Sequence, residues 1–157
     1  MFAKDAQLIS NSYYTATAQA LPQQPSLQGH IQADVCVIGA GLAGLSAALE
    51  LAQSGFQVTL LEAKRIAWGA SGRNGGQAIV GYACGEEPFE KAMSMDEAKR
   101  AFNLTIEGLD LMRERIRQYN IDCDWVDGYM TASVKPKSTQ GLFEWADRMG
   151  EVYDYPH

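Results

Sequence analysis

The chain has 157 residues, 46% of them apolar and 20% charged, enough for one folded domain with a core and unlike a disordered segment. Nineteen acidic against 13 basic residues give a net charge of −6. With no local cluster of Lys or Arg, that balance repels a phosphate backbone and excludes nucleic acid as an expected partner.

Three cysteines, Cys36, Cys84 and Cys123, form no CxxC pair and no metal-ligand spacing with His30 or His157, so no metal is expected. Their odd, sparse count suits a reducing cytoplasm, and they read as small buried hydrophobes or idle thiols. The opening MFAKDAQLIS lacks the apolar core of a secretory signal.

The first thirty or so residues read as a polar lead lying extended over the surface. Tyr13 and Tyr14 anchor it by packing, and Pro22 and Pro25 break regular structure. Residues 1–32 are therefore expected as an arm, and residues 33–157 as the folded part. His30 reads as a surface residue.

Ala33-Asp34-Val35-Cys36-Val37-Ile38 is short, apolar and β-branched, the pattern of a buried parallel strand. It runs into Gly39. Leu42 to Gln53 are strong helix formers with Leu42, Leu45, Leu49 and Ala52 at helical spacing, and Gly55 is a stop signal. Phe56 to Leu61 returns to strand composition and ends at Glu62. This strand, helix and strand make a βαβ unit with a right-handed crossover. The unit also accounts for the apolar stretch from Val35 to Ala52, which holds three glycines, Ser46 and Glu50 and is not expected to span a membrane.

Ala63 to Gln77 reads as a loop of small residues, and Glu86 and Glu87 as a solvated helix start. Asp96 to Tyr119 is one long amphipathic helix whose apolar stripe is Phe102, Ile106, Leu109, Met112, Ile116 and Tyr119. Cys123 to Val134 is strand-like with a turn at Gly128, and Gly141 to Met149 looks helical. Tyr155-Pro156-His157 brings no obvious closing element. Trp68, Trp125 and Trp145 read as packing anchors.

Gly39-Ala40-Gly41-Leu42-Ala43-Gly44 is a GxGxxG placed directly after a strand and opening a helix, the context a dinucleotide fingerprint requires. Gly39 allows the tight turn, Gly41 lets backbone approach a pyrophosphate, and Gly44 lets the helix pack on the sheet. The helix end offers unpaired N–H donors and a partial positive charge to the anion. Glu62 lies 18 positions beyond Gly44, at the end of the second strand. A carboxylate there accepts ribose hydroxyls and repels a 2′-phosphate, which favours FAD or NAD over NADP. In the loop, Gly69, Gly72, Gly75 and Gly76 leave backbone bare, and Ser71, Arg73, Asn74 and Gln77 supply donors for phosphate or ring contacts. That loop tips the choice toward FAD.

The stretch VIGAGLAGLSAALELAQSGFQVTLLEAKRIAWGASGRNGGQ resembles the start of the FAD-dependent amine and D-amino-acid oxidase superfamily, which includes sarcosine and glycine oxidases. Ser12-Tyr13-Tyr14, with Arg113-Glu114-Arg115-Ile116 through Tyr119-Asn120-Ile121-Asp122-Cys123-Asp124, is similar to the bacterial γ-glutamylputrescine oxidoreductases of putrescine degradation. The resemblance runs from about Ser12 to the end. It implies an α/β fold: a Rossmann-like FAD-binding βαβ unit with a parallel sheet, followed by the start of a substrate-domain β segment. It implies oxidation of a primary amine to an aldehyde, with release of ammonia and hydrogen peroxide and oxygen as acceptor. Residue by residue, Gly39, Ala40, Gly41, Leu42, Ala43 and Gly44 match the pyrophosphate turn. Glu62 and Ala63 match the adenosine side, and Ser71, Arg73, Asn74, Gly75, Gly76 and Gln77 match the loop beside the isoalloxazine. The resemblance assigns no catalytic residue. Family chains are much longer than this one, so an N-terminal fragment lacking the substrate cavity is expected.

Two other readings stay open. An NAD-binding module explains the βαβ unit and Glu62 but gives GASGRNGGQ no role, and a non-catalytic scaffold could keep the same nucleotide fold. Within the enzyme class, another D-amino-acid or secondary-amine oxidase is the alternative.

Overall fold

A computed structural model describes residues 12–19 and 24–155. The expected break at Pro22 and the ending at Pro156-His157 lie outside them. The chain divides into two compact units, Met1–Gln77 and Ala78–His157.

The first unit is the mixed α/β part. It contains helix α1 (Tyr13–Thr17), strand β1 (Val35–Ile38), helix α2 (Leu42–Gln53), strand β2 (Val58–Leu61) and a 3-10 turn at Ala70–Gly72. The lead is thus not extended throughout. Ser12 itself is extended, and its Oγ accepts the Thr15 N–H at 3.2 Å, which caps one turn of helix. β1 and β2 pair in parallel from Val35↔Val58 to Ile38↔Leu61. The ladder is tied at one end by Gln57 O, which accepts from Asp34 N–H (2.9 Å) and Val35 N–H (3.2 Å). At the other end Gly39 N–H donates to Leu61 O at 2.7 Å.

α2 packs on both strands. Among the described residues two strands and one helix cover only one sheet face. Val35 and Val37 are half-buried, whereas Cys36 and Ile38 point outward, Ile38 being 86% exposed. The expectation of a strand buried on both faces is therefore corrected. Of the two readings of the cysteines, small buried hydrophobes or idle thiols, the buried one is likewise corrected: all three are free and exposed.

The second unit is helical: α3 (Glu87–Ala92), α4 (Met95–Gln118) and α5 (Pro136–Tyr153). α4 starts at a capping box, with Ser94 N–H donating to Glu97 Oε2 at 2.9 Å and Glu97 N–H to Ser94 Oγ at 3.4 Å. α5 is longer than the Gly141–Met149 expected. Pro136 stands in its first turn, where a missing N–H costs nothing, and the helix ends where Asp154 turns left-handed at φ 53°. The core is Phe102, Met149 and Tyr153, flanked by Val80, Ile106, Trp145, Val152 and Tyr155. The α4 stripe is covered unevenly: Phe102 is buried and Ile106, Leu109 and Ile116 are half-buried, but Met112 and Tyr119 are exposed.

The strand expected over Cys123–Val134 does not form. Among the described residues this segment finds no ladder partner, and Val126, Met130 and Val134 stand in solvent. β composition without a neighbouring strand leaves extended chain. No described helix is long and apolar enough to cross a membrane.

Candidate functional site

The first unit brings the two halves of the glycine–acid pattern together. Gly39, at φ +100°, takes a conformation that L side chains rarely adopt and turns the chain out of β1. Ala40 follows, 1% exposed. Its N–H donates to Glu62 Oε2 at 2.8 Å, and its C=O accepts the N–H of Ala67 at 2.8 Å. The other carboxylate oxygen, Glu62 Oε1, accepts the Lys64 N–H at 2.8 Å. These donors, Ala40 first and Lys64 next, hold the Glu62 carboxyl below its ordinary pKa. A carboxylate oxygen with one N–H bound keeps acceptor capacity for a hydroxyl.

α2 opens at Gly41, which has no side chain to cap it. The cap comes instead from the loop: Ser71 Oγ accepts the Leu42 N–H at 2.9 Å. A Cβ on Gly41 would stand 2.9 Å from that Ser71 oxygen. A Cβ on Gly44 would stand 1.9 Å from the Gly39 carbonyl oxygen and 3.5 Å from Val37. Gly44 is thus the point where the helix meets the backbone of the turn and the Val37 side chain of the strand. Ala43 lies exposed on the first turn of α2.

The loop after Ala63 folds onto this turn. A turn closed by Trp68 N–H to Arg65 O (3.0 Å) puts Ala67 at φ 56° and aims its amide at Ala40. Gly72 fits beside Ala67, whose carbonyl oxygen would lie 2.2 Å from a Cβ there. Arg73 Nε donates to Gly69 O at 3.1 Å while its guanidinium lies 5.4 Å from the Trp68 ring centre. Asn74 staples its own loop: Nδ2 donates to Ser71 O (2.9 Å) and Ala70 O (3.3 Å), and Oδ1 accepts Gly76 N–H (2.9 Å). Gly75, Gly76 and Gln77 are exposed at its end.

The glycine turn, Glu62 and Ser71 therefore meet, while Arg73 and Asn74 direct donors at the loop itself. Two residues in this arrangement carry no sequence signal. Ala67 adopts a positive φ without being Gly or Asn. Arg65 Nη2 donates to Thr15 Oγ1 at 2.9 Å, fastening α1 to the loop across fifty positions.

Residues 34–157 match the family model described as "FAD dependent oxidoreductase". The chain is 43% identical over 135 residues to γ-glutamylputrescine oxidoreductase of Escherichia coli, covering 86% of this chain and 32% of that protein. It is 42% identical over 144 residues to "Probable oxidoreductase OrdL" of Haemophilus influenzae, covering 92% of this chain and 33% of the relative. A protein with the same description in Rhizobium meliloti is 34% identical over 93% of this chain and 34% of its own length. The chain thus spans about a third of the length of these curated relatives. No solved structure matches it significantly.

Proposed function

The chain belongs to the FAD-dependent oxidoreductase family, and on that premise we propose that it carries the adenosine and pyrophosphate end of an FAD site in an amine oxidase. The observation that carries the reading is Glu62 folded onto Ala40 N–H at 2.8 Å, which joins the glycine turn to the acid at the end of β2. The fit to a dinucleotide rests on the turn itself. Gly39 has a conformation reserved for glycine, Gly44 has no room for a Cβ, and the first-turn amides of α2 lack i−4 acceptors.

Gly41, Ala43 and Gly44 would receive the pyrophosphate at the positive end of α2. Glu62 and Ala63 would take the adenosine ribose, with the carboxylate already ionised and oriented by two backbone amides. Ser71 and the loop through Gln77 would line the path toward the flavin ring, with Arg73, Asn74, Gly75 and Gly76 shaping its wall. FAD, when bound, supplies the oxidising chemistry of the reaction.

The reaction proposed is oxidation of a primary amine to an aldehyde, with ammonia and hydrogen peroxide as products and oxygen as acceptor. γ-Glutamylputrescine is the substrate favoured by the 43% identity to the E. coli enzyme. A reducing cytoplasmic setting accords with three free, exposed thiols. The test has two parts. FAD should copurify or reconstitute with the protein, seen by visible flavin absorbance, and NAD should not displace it. In an enzyme of the relatives' full length, peroxide should then appear with γ-glutamylputrescine, and a preference for D-alanine or sarcosine would move the protein to another branch of amine oxidases.

A further inference from the structure

α2 begins at a residue that cannot cap it. Gly41 supplies no side-chain oxygen, yet the Leu42 amide is satisfied by Ser71 Oγ at 2.9 Å, from a residue 29 positions later. The same oxygen would lie 2.9 Å from a Cβ on Gly41, closer than real Cβ contacts come. The missing side chain at 41 and the hydroxyl at 71 are thus two parts of one arrangement: the space a capping side chain would fill at the N-terminus is where the Ser71 hydroxyl enters.

We propose that Ser71 is a positioning residue that caps α2 from the loop, so that the glycine turn and the Ala70–Gly72 turn form one cofactor-receiving unit. This rests on the reading of the turn as an FAD site. Gly41 then has a second reason to be glycine besides backbone approach to a phosphate: it makes room for Ser71. The loop is held to the turn at two points, by Leu42 N–H to Ser71 Oγ and by Ala67 N–H to Ala40 O. Because the Ser71 oxygen accepts from Leu42, its hydroxyl hydrogen is available to donate outward. Losing the cap would loosen the end of α2 and the loop together, although neither Leu42 nor Ala70 changes.

Ser71→Ala, Ser71→Thr and Gly41→Ala, with the double variant Gly41→Ala/Ser71→Ala, test this in the intact protein. Ser71→Ala should speed hydrogen exchange at the Leu42 amide and weaken FAD binding by about fivefold, the scale of a lost helix cap. Ser71→Thr should restore both. In unfolding experiments Gly41→Ala should cost less stability in the Ser71→Ala background than alone, because the hydroxyl it strikes is gone. Unchanged Leu42 exchange in Ser71→Ala, or strict additivity of the two substitutions, would overturn the cap. Exchange and additivity are read without FAD. If they behave as expected and the unsubstituted protein binds no FAD, the cofactor reading fails while the cap stands. If FAD binds equally well to wild type and Ser71→Ala, the positioning role fails while the cofactor reading stands.

Discussion

Glu62 accepts the amide hydrogen of Ala40 at 2.8 Å, and Ala40 is 1% exposed. A buried N–H that loses its acceptor bears the whole desolvation penalty, so Glu62→Ala should destabilise the first unit by about 1–3 kcal/mol before any ligand is considered. If the carboxylate also holds the adenosine ribose, FAD affinity should fall about ten- to a hundredfold, the equivalent of a lost charge-assisted hydrogen bond of about 1.5–3 kcal/mol. Denaturant unfolding and flavin fluorescence titration separate the two losses. Weaker FAD binding with unchanged stability would mean that the Ala40 contact contributes little.

Two glycines make a contrast in opposite directions. A Cβ at Gly44 would lie 1.9 Å from the Gly39 carbonyl oxygen, backbone that cannot swing aside. Gly44→Ala should therefore push α2 off the sheet and cost stability at the upper end of ~1–3 kcal/mol. Gly108, inside α4 and exposed, has open space for 4 Å around the point where a Cβ would stand. Gly108→Ala should stabilise by up to about 1 kcal/mol through helix propensity. Thermal unfolding of the pair checks both signs.

The first unit was largely legible because its pattern is local. A β-branched run, a glycine turn, a helix of Leu and Ala and a second apolar run lie in sequence order, and α2 has the bounds Leu42–Gln53 that its residues imply. Its buried face was less legible. Leu45 and Leu49 are half-buried but Leu42 is exposed, because only two strands lie beneath the helix. The strand expected at Cys123–Val134 failed for a related reason. Strand composition states a capacity to pair, and pairing is decided by what lies alongside. Ser71 on Leu42, Ala67 on Ala40 and Arg65 on Thr15 are contacts between segments distant in sequence, for which residue spacing gives no rule.

In the second unit Tyr153 OH donates to Glu90 Oε1 at 2.6 Å, and Arg148 pairs with the same oxygen. Burial, and then the Glu90 carboxylate, push the Tyr153 phenol up to about 12. A raised pKa means the folded state holds this proton more tightly. The contribution is complete below the ordinary phenol value of about 10 and is lost as pH rises toward 12. Burial also raises the Tyr129 phenol, so an ultraviolet titration of tyrosinate should show a late-ionising limb that shrinks, without vanishing, in Tyr153→Phe. The same variant should cost about 1.5–3 kcal/mol, because a carboxylate loses a hydroxyl donor.

The acid limb runs in the other direction. Glu62 is held below its ordinary value by the Ala40 and Lys64 amides, and Glu90 by the Tyr153 hydroxyl and then Arg148. With both folded-state values depressed, each group's stabilisation is complete above the unfolded carboxylate range of about 4.3 and is lost as pH falls through the folded value. Glu62 is exposed, so solvent screening keeps its contribution modest, whereas the Glu90 side chain is only 18% exposed and is screened less. Glu62→Gln and Glu90→Gln remove the titrating group while keeping size and one acceptor, so each should flatten the fall in unfolding free energy below that range. Their absolute stabilities will differ, since an amide offers a donor where a second acceptor stood. The slope against pH is therefore the quantity to compare. An unchanged slope in Glu62→Gln would mean that the carboxylate ionises alike in folded and unfolded chains, and that its bond to Ala40 does not favour the charged form.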